Sequence, residues 1–187
     1  EESCRQLKSW SDSHPAAADL SVAVNVSDRQ IHRPELVSKV VSCIDASGLD
    51  RSRIALEITE NLVMEHADRA QAVLRELNEG GLELHLDDFG TGYSSLSYLR
   101  RLPLNCLKID RSFVFKIDND REDMAVVQAI VMLAKSLGLA VIAEGIETKK
   151  QLEIVTSLGC EYGQGYYFDK PLPADEAEEL IIDSSRS

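Results

Sequence analysis

At 187 residues, 44% of them hydrophobic, the chain is long enough to bury a core and reads as one globular domain spanning 1–187. A formal net charge of −12 excludes a broad surface for nucleic-acid polymers, which needs basic patches, but admits a small phosphate ligand if cations gather in an acidic pocket. The longest apolar runs, 125–134 and 139–143, are too short to span a bilayer and no secretory segment opens the chain, so a cytoplasmic protein, or the cytoplasmic domain of a larger and even membrane-bound one, is expected without direct membrane insertion.

In chain order, a helix tail over 1–10 is followed by strands predicted over 20–26, 53–58, 82–88, 106–109, 140–143 and, briefly, 161–163. Helices are predicted over 34–46, 67–79, 121–137, 148–158 and 174–182, with Gly48, Gly80, Gly138 and Gly159 at their ends. The alternation predicts about six βα units and a parallel sheet. A closed (β/α)8 barrel needs eight strands and typically ~250 residues, so the expected fold is a TIM-like α/β barrel that is N-terminally incomplete by about two units. An open doubly wound sheet is the alternative. Cys4, Cys43, Cys106 and Cys160 lie far apart without CxxC spacing and read as packing thiols.

Each predicted strand ends in polar residues: Asn25; Glu57 and Glu60; Asp87 and Asp88; Lys108 and Asp110; Glu144 and Glu147; Gln164. Parallel βα folds gather the carboxyl ends of their strands on one face, where barrel enzymes assemble their chemistry. Taken singly, each has a plain structural explanation: Asn25 as a turn residue, Glu57 as a helix cap, Lys108 as a surface charge. Recurrence at one topological position in every unit favours a site.

Asp87 and Asp88 precede a glycine-rich turn, Phe89-Gly90-Thr91-Gly92. On its own the pair reads equally as turn chemistry or as a hard-metal site. A donor set of carboxylates and an amide, without histidine or thiolate, suits Mg²⁺ or Mn²⁺, and two adjacent aspartates can serve a two-metal site that clamps the oxygens of a phosphodiester. Lys108 could orient a water there or offset transition-state charge. His14, His32 and His66 fall away from strand ends, and His85 lies one layer below Asp87, where a packed, hydrogen-bonded role is expected.

The VNVS segment with Asn25, LEITE at 56–60, DDFGTGYSSL at 87–96, LKIDRSF at 107–113, AEGIET at 143–148 and QGYYFDKPLP at 164–173 together resemble the EAL domain family of cyclic di-GMP phosphodiesterases over nearly the whole chain. The resemblance implies a (β/α)8-type barrel with one antiparallel N-terminal strand, and metal-dependent hydrolysis of cyclic di-GMP to linear pGpG in bacterial second-messenger signalling. It implies Asn25, Glu57, Asp87, Asp88 and Glu144 as metal ligands, Lys108 as the group assisting the attacking water, and Asp110, Glu144 and Glu147 beside it. Gln164, Tyr166, Phe168 and Pro171 are implied in the substrate pocket. Glu60 is implied as anchor of the loop after Asp88, through which loop and following helix a homodimer would form, with sensory or cyclase domains as further partners.

One departure stands out: the Glu-Ala-Leu signature, with its metal-binding Glu and nearby substrate-binding Arg, is absent from this sequence. Both it and the strand count lead to the expectation of a barrel lacking its first elements, weak or inactive alone. A module that binds cyclic di-GMP or a partner protein without turnover is the alternative function. A kinase-like reading of Asp88-Phe89-Gly90 fails, because no glycine-rich strand-turn-strand or HRD-like loop precedes it.

Overall fold

The structure, a computed structural model, describes residues 1–65, 67–92 and 96–184. Six strands, β1 (Val22–Asn25), β2 (Ile54–Thr59), β3 (Glu83–Phe89), β4 (Cys106–Ile109), β5 (Ala140–Ala143) and β6 (Tyr162–Gly163), pair in parallel and strictly in sequence order. A doubly wound sheet reverses its strand order at a switch point. No reversal occurs among these strands, so they form a curled barrel wall, and the doubly wound alternative is set aside. Among the described residues β1 and β6 each pair with one strand only, which leaves the wall open.

Register and pleat assign the side chains. Ile54, Leu56 and Ile58, Leu84 and Leu86, Leu107 and Ile109, and Val141 and Ala143 are buried in one layer of the core. The intervening residues, Glu57, His85, Asp87 and Lys108, point to the concave face.

The helices are α1 (Glu2–Ser13), α2 (Asp28–Ile31), α3 (Leu36–Ser47), α4 (Glu60–Glu65), α5 (Ala67–Glu79), α6 (Leu96–Leu99), α7 (Arg111–Val114), α8 (Arg121–Ser136), α9 (Lys149–Leu158) and α10 (Ala174–Ser184). Those with a clear apolar stripe match the sequence reading: α8 buries Val127, Ile130, Val131 and Ala134 on one side. Four were not predicted. The helices α2, α4, α6 and α7 each follow a strand and run four to six residues, about one turn, too short to show a 3.6-residue period.

Two further boundaries differ from the sequence reading. The opening helix continues to Ser13 rather than ending at Trp10. After α5 the left-handed residue is Gly81, with φ +88°, and not Gly80, because the chain continues one residue further before Leu82 bonds back to the Leu77 carbonyl.

All four cysteines are free thiols, with Cys4 and Cys106 buried, as expected of packing residues. Leu107 is fully buried beside Lys108. Leu107→Ala should lower the unfolding free energy by about 2–5 kcal/mol; an unshifted urea midpoint would contradict the placement of this strand at the centre of the core.

Candidate active site

A buried ammonium needs charged partners, and the concave face supplies three. Lys108 Nζ lies 2.6 Å from Glu57 Oε1, 3.0 Å from Asp87 Oδ1 and 2.8 Å from Glu144 Oε1, with the lysine side chain only 4% exposed. Four elements meet here: Glu57 from β2, Asp87 from β3, Lys108 from β4, and Glu144 from the turn after β5. Burial opposes the charge of Lys108, but hydrogen bonds and attraction from Glu144 and Glu57 outweigh it and hold its pKa above the ordinary value. It therefore keeps its proton.

Asp88 reaches the same cluster by an irregularity of the strand. The register of β3 against β4 shifts between Leu86 and Phe89, and Asp88 takes a left-handed φ of +55°. Regular alternation would have aimed it into the apolar layer opposite Asp87. Instead, carboxylate oxygens of Asp87, Asp88 and Glu144 come within 4.8 Å of one another. Burial, then the charges of Asp87 and Asp110, hold the Asp88 carboxyl above its ordinary range, with Lys108 and Arg111 pulling the other way. Burial likewise raises Glu144, against the pull of Lys108.

The cluster suits a divalent cation. Glu57, Asp87, Asp88 and Glu144 set four carboxylates against one ammonium, and the donors are all oxygen, the preference of Mg²⁺ and Mn²⁺. Cys106, buried two residues before Lys108, has its thiol pushed up to about 12 by burial.

The other predicted site residues fall around this centre. Asn25 sits in register beside Glu57 on β1 and is exposed. Asp110 caps α7, its Oδ1 accepting from the Ser112 N–H at 2.9 Å and from the Ser112 hydroxyl. Glu147, Gln164 and Tyr166 line a cleft of about 180 Å³ adjoining the cluster, with Glu144 shared between the two.

The loop holding that cleft is fixed from behind by buried Gln151 on α9. Its amide oxygen accepts from the Glu147 and Thr148 N–H groups, and its amide nitrogen donates to the Phe115 carbonyl. Phe168 lies outside the cleft, half exposed, with its ring edge-on to Tyr167 at 5.5 Å; Pro171 is exposed further along.

Glu60 opens α4, rather than ending a strand as the sequence reading had it, and is buried. Its Oε2 accepts from the N–H groups of Gly90 at 2.9 Å and Gly92 at 3.4 Å, which pins the loop after Asp88. The continuation of that loop, Tyr93 to Ser95, lies outside the described residues, as does His66. His85 contacts Glu83 at 3.3 Å through Nε2, but its buried Nδ1 has no hydrogen-bond partner, so the expected hydrogen-bonded role is met on one side of the ring only.

Arg111, not singled out from the sequence, also lines the cleft. Its only signal was adjacency to Asp110, one residue beyond the strand-end positions. Larger grooves exist, such as one of about 550 Å³ on the outer side between α1 and α3, but they lie away from the strand ends and hold no carboxylate cluster.

A family model described as EAL domain matches residues 1–171. The bifunctional diguanylate cyclase/cyclic di-GMP phosphodiesterase MucR of Pseudomonas aeruginosa is 43% identical over 176 residues, 94% of this chain and 25% of that protein. The chain thus spans about a quarter of the length of that curated relative. Among solved structures, the PaMucR phosphodiesterase in complex with c-di-GMP is similar with a TM-score of 0.89 at 43% identity, covering 94% of this chain and 70% of that one. A manganese/cy-diGMP complex of Klebsiella pneumoniae BlrP1 gives a TM-score of 0.76 at 31% identity, covering 89% and 44%. These likenesses make the curled wall an incomplete TIM-like barrel of EAL type.

Replacing Lys108 leaves buried carboxylates without their cation. In EDTA at pH 7, Lys108→Met should lower the unfolding free energy by about 3 kcal/mol. Glu144 is an acid whose folded pKa is already raised, so its ionisation costs stability above that pKa and costs nothing below the unfolded one. The deficit of the variant should therefore shrink as pH falls into the ordinary carboxylate range; urea melts showing a pH-independent deficit would contradict the charge balance described.

Proposed function

The chain belongs to the EAL domain family, and we propose that it is a metal-dependent phosphodiesterase module that opens one phosphodiester bond of cyclic di-GMP to give linear pGpG. The observation that carries this reading is the Lys108 ammonium held among Glu57, Asp87 and Glu144, with Asp88 turned into the same cluster. Asn25, Glu57, Asp87, Asp88 and Glu144 would hold Mg²⁺ or Mn²⁺, which when bound supplies Lewis acidity to the phosphoryl oxygens and a more acidic water.

The remaining work belongs to the protein's own residues. Lys108, keeping its proton, orients the attacking water and offsets charge that builds on the phosphoryl oxygens; it is not a base. Glu144, 2.8 Å from the Lys108 ammonium, stands where it would help to position that water. Asp110 acts through its charge beside Asp88. Glu147, Gln164 and Tyr166 bound the cleft proposed for one base, with Phe168 and Pro171 at its outer margin.

We read 1–187 as one EAL-type domain. Its sequence holds no counterpart of the family's signature glutamate, so the chain alone is expected to be weakly active. Glu60 couples the site to the loop after Asp88, and that loop with α6 beyond it is the proposed contact with a second copy. No helix among the described residues is long and apolar enough to cross a membrane, in keeping with a cytoplasmic domain, which sensory or cyclase domains could accompany.

The test is a Mn²⁺-dependent turnover assay on this chain beside a form extended N-terminally to carry the Glu-Ala-Leu segment. The extended form should yield pGpG, and Asp87→Ala in it should reduce turnover at least about a hundredfold. Binding of cyclic di-GMP without pGpG would replace the enzyme by the receptor alternative.

A further inference from the structure

We propose that Arg111 reads the O6/N7 edge of one guanine and is the residue by which this site tells guanine from adenine. The inference rests on cyclic di-GMP as substrate and concerns which group of it Arg111 meets.

The position of Arg111 is fixed by close packing. It is the first residue of α7, directly after the capping Asp110. Its backbone lies so near Gly145 that a Cβ built there would stand 2.5 Å from the Arg111 Cβ, and Gly145 itself has φ +70°. Gly145 therefore serves two ends, taking a left-handed turn and admitting Arg111 to the wall of the cleft beside Glu144, Glu147, Gln164 and Tyr166.

Arg111 is exposed and makes no ion pair among the described residues. The other cation at the centre, Lys108, is buried and committed to three carboxylates. Arg111 is thus the guanidinium left to meet a ligand in this cleft.

A cyclic dinucleotide offers two kinds of acceptor there, a second phosphodiester or a base edge. The cleft decides between them. Glu147, which the metal cluster does not use, lines it together with Arg111, Gln164 and Tyr166, and a carboxylate there disfavours a phosphate. A guanine suits the mixed lining. Its O6 and N7 are acceptors matched to the two-pronged guanidinium, its N1–H and amino group are donors for a carboxylate or the Gln164 amide, and its face can rest on the Tyr166 ring. Adenine puts an amino donor where guanine has O6, so the same arginine meets a donor and loses half its contact.

The experiment measures equilibrium binding of cyclic di-GMP and cyclic di-AMP in Ca²⁺, by calorimetry, to the extended form of the turnover assay and to its Arg111→Ala and Arg111→Lys variants. Arg111→Ala should weaken cyclic di-GMP at least about tenfold and cyclic di-AMP by far less, collapsing the preference. Arg111→Lys keeps the charge but not the fork, so it should also lose most of the preference; it serves as the reading if the alanine variant does not fold. Equal weakening of both dinucleotides, full rescue by lysine, or no change would overturn the assignment while leaving the phosphodiesterase reading intact. A parent protein that binds neither dinucleotide would overturn both.

Discussion

The site depends on one constraint: an ammonium buried in the concave face of a parallel sheet must be surrounded by carboxylates. Lys108 meets it with Glu57, Asp87 and Glu144, all within hydrogen-bonding distance. Parallel pairing in sequence order makes this possible, because it brings the carboxyl ends of β2, β3, β4 and the turn after β5 side by side. One lysine does not balance four carboxylates. Glu57, Asp87 and Glu144 already outnumber it, the bulge that turns Asp88 inward enlarges that surplus of negative charge, and the surplus gives the site a use for a divalent cation.

Behind the charged centre lies a layer of hydrogen bonds that keeps it in place. Gln151 holds the turn carrying Glu147 by accepting from two backbone N–H groups and donating to the Phe115 carbonyl. Glu60 holds the loop after Asp88 by accepting from the N–H groups of Gly90 and Gly92. Both are buried, so the loops at the mouth of the site are tied to the core rather than to solvent. Geometry at the strand ends is thereby transmitted from packing one shell further in.

Much of this was legible in the sequence. Period-two patterning places Glu57, Asp87 and Lys108 on one face, and the recurrence of polar residues at strand ends marks that face as a site. The bulge at Asp88 was not legible, because alternation alone puts Asp87 and Asp88 on opposite faces and only the shifted register reunites them. The one-turn helices α2, α4, α6 and α7 left no periodic trace, and Glu60 was read into a strand because the helix it begins is so short. Arg111 escaped notice for a related reason: its role is set by its close approach to Gly145, a contact between segments far apart in the chain.

The central claim, that this carboxylate cluster is a divalent-cation site with Lys108 as its permanent charge, is tested most directly by anomalous diffraction from crystals grown in Mn²⁺. The account predicts anomalous density among the carboxylates of Asp87, Asp88 and Glu144, with the Lys108 ammonium still in contact with the cluster. Saturating Mn²⁺ with no density there, or with density only elsewhere on the acidic surface, would contradict it.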